Sequence, residues 1–182
     1  DTEGTVIERN LLVKITPSVL FSETVNIETA DDYYGSYYAT WLNGRVYLRS
    51  NGEQYVPEID FSMGMIDGIP SLISPAQRSQ YNLPTFDGLK DTKFELTTLT
   101  ITEYNNISKV NAEPISTLTD PTLSNIGISA NKVYLFKTAD GKKGLIAITS
   151  MTKRTGTIET ANGEWVKDTE YYRVVITTKV IA

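Results

Sequence analysis

The side chains that most enzymes use for proton transfer, covalent attack and zinc binding are missing from this chain, which has no histidine and no cysteine. Disulfides, thiolate nucleophiles, Cys/His zinc sites, the Ser-His-Asp triad and imidazole acid–base chemistry are removed together. Carboxylates remain. Asp31-Asp32, Asp60, Asp67, Asp87 and Asp91 lie nearest to turn signals, and a close pair could serve a glycosidase while a cluster could hold calcium. Their spacing lacks the alternating Asp and distal Glu of a calcium loop, so they read as turn and strand-edge residues. Asp60 is the exception: it sits on the polar face of an alternating strand, and needs a partner if another sheet covers that face. The run Gly141-Lys142-Lys143-Gly144 suggests a phosphate loop, but no glycine lies five residues before Gly141 and no Ser or Thr follows the lysines. It reads as a hairpin turn. No G-x-S-x-G elbow occurs.

Aromatic residues offer a different chemistry. Tyr33, Tyr34, Tyr37, Tyr38 and Trp41 cluster within one segment, followed by Tyr47. Rings beside Asn and Asp can grip a sugar by stacking on its C–H face while amides and carboxylates bond its hydroxyls. Strand parity separates Tyr33, Tyr37 and Trp41 from Tyr34 and Tyr38, which predicts one subset in the core and the other exposed. Trp165, just after Asn162-Gly163, is a second candidate for exposure. The candidate ligand-binding set is therefore Tyr34, Tyr37, Tyr38, Trp41 and Trp165, with no catalytic residue, no metal ligand and no cofactor expected.

The elements that must position these residues are strands. Of 182 residues, 24 are threonine and 11 tyrosine, types that suit pleated, half-buried surfaces. A hydrophobic content of 40% with 21% charged residues fits one globular domain over residues 1–182, with residues 1–5 expected as a tail. Leu11, Val13 and Ile15 alternate as a strand ending at Thr16-Pro17, and Val25 and Ile27 repeat the habit. Asn43-Gly44 and Asn51-Gly52 are hairpin signals. Ile59, Phe61 and Met63 predict one buried strand face. Ser74-Pro75-Ala76-Gln77, Thr100 to Ser108 and Asp120-Pro121 predict short helices from cap, proline and capping-box chemistry. Lys132 to Lys137, a turn at Asp140-Gly141 and Gly144 to Thr149 predict a central hairpin covered on both sides. A long strand from Glu170 to Ala182 closes the fold, with Tyr172, Val174, Ile176 and Val180 on one face and Arg173, Thr177 and Lys179 on the other.

The strings Gly35-Ser36-Tyr37-Tyr38, Gly44-Arg45-Val46-Tyr47, Glu58-Ile59-Asp60-Phe61 and Leu72-Ile73-Ser74-Pro75 resemble a pattern of uncharacterised exported lipoproteins of the Bacteroidetes. The hairpin from Lys132 to Ile146 resembles a phenylalanine-lysine-threonine-aspartate-glycine-lysine-glycine-leucine hairpin of that group. The resemblance spans Gly35 to Ile148, and the Lys153 to Asp168 hairpin is longer than its pattern. It implies an exported protein, lipid-anchored in its precursor and facing the periplasm or cell exterior. It brings no catalytic residues.

The fold class expected is mainly β: an antiparallel β-sandwich or partly closed barrel with two or three short connecting helices, or α+β if Thr100 to Asn125 forms longer helices. A net charge of −5 disfavours nucleic acid as a partner, and no apolar run is long enough to span a bilayer. The expected partners are a glycan or a surface protein, with membrane contact only through a lipid anchor outside this sequence. The chain start, Asp1-Thr2-Glu3, fits a processed product. The function expected is a non-enzymatic exported binding or structural domain; a carboxylate-dependent glycoside-active enzyme and a surface assembly or adhesion component are the alternatives.

Overall fold

A computed structural model describes residues 17–182; the expected strand at Leu11–Ile15 and the tail at 1–5 lie outside them. In chain order the strands are β1 Val19–Phe21, β2 Val25–Glu28, β3 Tyr37–Ala39, β4 Arg45–Tyr47, β5 Phe61–Ile66, β6 Ile69–Ile73, β7 Thr92–Leu96, β8 Asn125–Gly127, β9 Lys132–Thr138, β10 Lys143–Glu159 and β11 Trp165–Ile181. The α-helices are α1 Arg49–Gly52, α2 Ile101–Asn106 and α3 Glu113–Ser116, and 3₁₀ turns cover Glu53–Glu58 and Pro75–Tyr81.

The strands form two antiparallel sheets, the sandwich expected of the sequence, and among the described residues they close no barrel. One sheet runs β1-β11-β10-β9-β7, with β2 pairing farther along the same edge of β11 as β1. The other runs β4-β3-β5-β6-β8. Between them lies the main core: Tyr38, Phe61, Met63 and Leu72 of the second sheet meet Phe94, Tyr134, Phe136, Ile146, Ile148, Val174 and Ile176 of the first. Apolar packing of this extent is the dominant favourable term.

Both outer faces are covered as well. Helices α2 and α3 place Tyr104 and Ile115 against Val133, Leu135, Leu145 and Ala147. That is why β9 and the first half of β10 are apolar on both faces, as predicted for the central hairpin. Helix α2 begins with the expected capping box: Thr100 Oγ1 accepts from Glu103 N at 3.1 Å, and Glu103 accepts from Thr100 N at 2.8 Å. Its last turn is held by Lys179, whose buried ammonium donates to the carbonyls of Tyr104, Asn105 and Ile107. On the second sheet, Tyr55, Phe86 and Leu89 pack over Tyr37, Ala39, Tyr47 and Ile59.

Several local expectations are corrected. Asn51-Gly52 ends α1 and is no hairpin turn; Gly52 is buried against Phe86. Asp120-Pro121 starts no helix. Asp120 instead pairs with Lys137 and Lys143, while Leu123 bridges to Phe94. Ile59 joins the outer cluster although Phe61 and Met63 face the main core, because the chain turns out of the 3₁₀ segment before β5 begins. Ser62, on the face of β5 opposite Phe61 and Met63, is buried and donates to Ile73 O. The β3–β4 turn is shifted by one residue: Gly44 N donates to Trp41 O, so Leu42 and Asn43 are the central pair, and both take the positive φ that a type I′ turn requires. A hairpin not foreseen joins β5 and β6 through Asp67-Gly68, again with positive φ at both positions.

Candidate functional site

The structure disperses the predicted binding set. Tyr37 and Tyr38 do point to opposite faces of β3, but each face is covered, and both side chains are 0% exposed. Tyr37 donates to Pro84 O at 2.7 Å under the guanidinium of Arg78, and Tyr38 stacks on Phe61 with its hydroxyl 3.0 Å from Thr178 Oγ1. Burial raises both phenol pKa values. Neither ring has a face left for a ligand, so these two are core residues rather than ligand contacts. Tyr34, Trp41 and Trp165 remain at the surface in three separate settings.

Trp41 lines a groove of about 340 Å³. Thr40 and the β3–β4 turn residues Trp41, Leu42 and Asn43 form one side, β1 contributes Val19, Leu20 and Phe21, and Lys109 completes the lining. Two backbone bonds fix the groove: Glu23 N donates to Asn43 O at 2.9 Å, and Val19 N to Lys109 O at 2.8 Å. Trp41 is oriented by its indole N–H, which donates to Tyr47 Oη at 3.0 Å, and Tyr47 in turn stacks on Tyr55. Lys109 Nζ lies 5.4 Å from the centre of the Phe21 ring. Leu20 and Leu42 are 57% and 58% exposed, which leaves an apolar rim beside an amide and an ammonium. Aromatic and aliphatic surface with a few polar groups is the composition of small-ligand sites. Lys109, Leu42 and Leu20 were missed by the sequence reading; only the fold brings β1 next to the turn.

Tyr34 belongs to the loop between β2 and β3. Glu28, fully buried, accepts from the backbone N–H of Tyr33 and Tyr34 with one oxygen and from Arg173 with the other. The Arg173 guanidinium then lies 4.7 Å from the Tyr34 ring, while Tyr33, set edge-on to Tyr34, is 70% exposed. Gly35 closes the loop at φ +101°, where a Cβ would collide with the Tyr47 carbonyl. In the same loop Asp32 accepts from Tyr171 Oη, and burial together with that carboxylate pushes the phenol up to about 12. Asp31 accepts from Arg49 N, and burial raises its pKa. Trp165 is elsewhere, 63% exposed near the tip of the β10–β11 hairpin.

Asp60 has the partners that its burial demands. It accepts from Thr40 N at 2.7 Å, Thr40 Oγ1 at 2.6 Å and Lys142 Nζ at 2.8 Å, with Lys90 Nζ at 3.4 Å. Lys90 also reaches Asp140 at 2.9 Å. Two carboxylates thus share one lysine. A glycosidase pair needs one carboxyl kept protonated, whereas the Thr138 hydroxyl and Lys90 hold Asp140 down to about 2. The arrangement is an ion-pair clasp between the β9–β10 turn and the second sheet. Of the other carboxylates, Asp67 and Asp87 lie exposed in turns, and Asp91 bonds Ser74 and Lys93. Among the described residues no group of three His, Cys, Asp or Glu is placed to hold a metal, and no helix is long and apolar enough to cross a membrane.

No family model matches the chain, and no curated protein or solved structure matches it either.

Proposed function

We propose that this chain is a non-catalytic binding domain of an exported surface protein, and that it takes a glycan in the Trp41 groove. The observation that carries the reading is the convergence of an indole, two exposed leucines, an amide and an ammonium on one concave surface. A sugar's C–H face would lie on the Trp41 and Leu42 side of the groove, and its hydroxyls would bond Asn43. Lys109 favours a sugar carrying a carboxylate or sulfate. The sharing of Lys90 by Asp60 and Asp140 supports the non-catalytic part, since it ties that pair of carboxylates into an ion-pair network. Export and lipid anchoring follow from the resemblance to exported lipoproteins; fractionation that finds the protein only in the cytosol rejects them.

The test uses the two tryptophans. In a Trp165→Phe background Trp41 is the sole indole, so a glycan entering the groove shifts its emission, and a glycan array supplies the ligands to titrate. Asn43 takes positive φ, so Asn43→Gly preserves the turn while removing the amide. Retention of acidic glycans by the parent, about tenfold weaker in Asn43→Gly and Lys109→Ala, is the expected result. An array without retention, or binding that leaves Trp41 emission unchanged, rejects the groove.

A further inference from the structure

The hairpin of β10 and β11 runs far beyond the sheet that contains it. Pairing of β10 with β9 stops at Ile148↔Lys132, yet β10 continues in register with β11 from Ser150↔Val175 to Gly156↔Thr169. Among the described residues, β10 along this stretch has a strand neighbour on one side only. In an antiparallel pair every second residue then directs its N–H and C=O away from the partner. Strand β2 still backs β11 at Arg173–Ile176, opposite Ser150 to Thr152, so among the described residues the pair stands as two strands only from Lys153↔Tyr172 onward; a two-stranded ribbon is at best marginal in water, and Thr152 to Thr155 and Thr157 are all exposed.

Other edges among the described residues are protected. Strands β1, β4 and β8 are three residues long and β2 is four, and short edges are poor templates. Strand β7 has Leu123 bridged to Phe94 on its outer side. The outer edge of β11 is interrupted at Asp168, whose φ is +54° beside the irregularity between Gly156 and Ile158. Ser150 to Gly156 carries no proline and no positive φ. Its charged side chains are Lys153 and Arg154, with no acidic residue among them. Lys153 reaches across to Glu170 at 2.8 Å, but both groups are more than half exposed, so the pair is weak.

We propose that the free edge of β10 from Ser150 to Gly156 is a strand-addition site for an extended acidic segment of another protein. Main-chain hydrogen bonds supply the pairing, as in other β-augmentation interfaces, and Lys153 and Arg154 select a partner with carboxylates and discourage a second copy of this chain, which would set the same basic pair against itself. The site is separate from the Trp41 groove and stands or falls independently of glycan binding.

The probe is a short synthetic peptide alternating Val and Glu, with a Val and Lys peptide as control, added to the intact protein at low salt. Amide hydrogen exchange read residue by residue is the measurement. The acidic peptide is expected to slow exchange at alternate residues between Ser150 and Gly156 by about tenfold or more and to leave the β1 and β8 edges unchanged. Lys153→Gln with Arg154→Gln keeps the exposed ribbon without added repulsion and is expected to weaken binding by about tenfold. Protection elsewhere, equal binding of the Val and Lys peptide, or no loss in the double variant overturns the proposal. So does protection of Ser150 to Gly156 that rises with protein concentration without peptide, because the edge would then serve self-association.

Discussion

Replacing Asp60 with Asn tests how the two sheets are clasped. The carboxylate is 0% exposed and receives donors from Thr40 and Lys142, with Lys90 close by. Asn is nearly isosteric and its Oδ1 can still accept from Thr40, but its amide N–H then faces the lysine ammoniums, donor against donor. Breaking a buried pair by removing one partner costs about 3–5 kcal/mol. The side chains of Lys142 and Lys90 keep 28% and 14% exposure, and Lys90 retains Asp140, which favours the lower end, about 3 kcal/mol. For a chain of this size that lowers the urea midpoint by on the order of 1 M. Unfolding would be followed by tyrosine and tryptophan emission in Asp60→Asn, Lys142→Met and the double variant. Removing Lys142 as well takes the nearer ammonium away from the amide and leaves Lys90 held by Asp140, so the double variant should recover about 1 kcal/mol or more relative to additivity. An Asp60→Asn midpoint indistinguishable from the parent, or strict additivity, refutes the clasp.

The Asp140 pKa of about 2 lies below that of a carboxyl in an unfolded chain, so its contribution is present above pH 4 and is lost as pH falls toward 2. The side chain is 56% exposed, which limits the effect to under about 1 kcal/mol; a carboxyl NMR titration should show the low midpoint, and Asp140→Asn should flatten the acid limb of stability between about pH 4 and 2. Lys179→Met leaves the carbonyls of Tyr104, Asn105 and Ile107 without their ammonium donor. It should cost about 2 kcal/mol or more and speed amide exchange in α2, and unchanged exchange there argues against the capping role. Ser36 Oγ is buried without a hydrogen-bond partner among the described residues, so Ser36→Ala is expected to leave thermal stability unchanged or raised; a loss above about 1 kcal/mol means that the hydroxyl is satisfied.

The fold was legible where local chemistry and tertiary need coincide. The β9–β10 hairpin announces itself through an apolar run on each side of Asp140-Gly141, and α2 through Thr100 and Glu103 at capping-box spacing. What escaped was set by distant parts of the chain. The outer face of the second sheet is covered by irregular backbone carrying Tyr55, Phe86 and Leu89, and such a cover has no period to detect. Without it the parity rule would leave one of Tyr37 and Tyr38 in water; with it both are core. The Asp120-Pro121 cap signal failed because the carboxylate found two lysines on a neighbouring hairpin. The Asp67-Gly68 turn carries its signal in the dipeptide alone, since both residues take the positive φ that the turn needs.

The tyrosines explain why the candidate site was only partly legible. A ring with a polar tip suits a thin sandwich, because the body packs in the core while the hydroxyl reaches a carbonyl or hydroxyl at its margin. Tyr37 reaches Pro84 O, Tyr38 reaches Thr178, Tyr104 reaches Thr177, and Tyr134 accepts from Ser129 N. A phenol already bonded at its tip and packed on both faces has nothing to offer a ligand, so these four tyrosines serve core construction rather than recognition. The two tryptophans behave differently. Trp41 donates its N–H to Tyr47 yet lines a groove, and Trp165 stands exposed near the end of the β10–β11 ribbon. The two indoles therefore fall beside the groove and on the ribbon, two places where the backbone geometry also leaves room for another molecule.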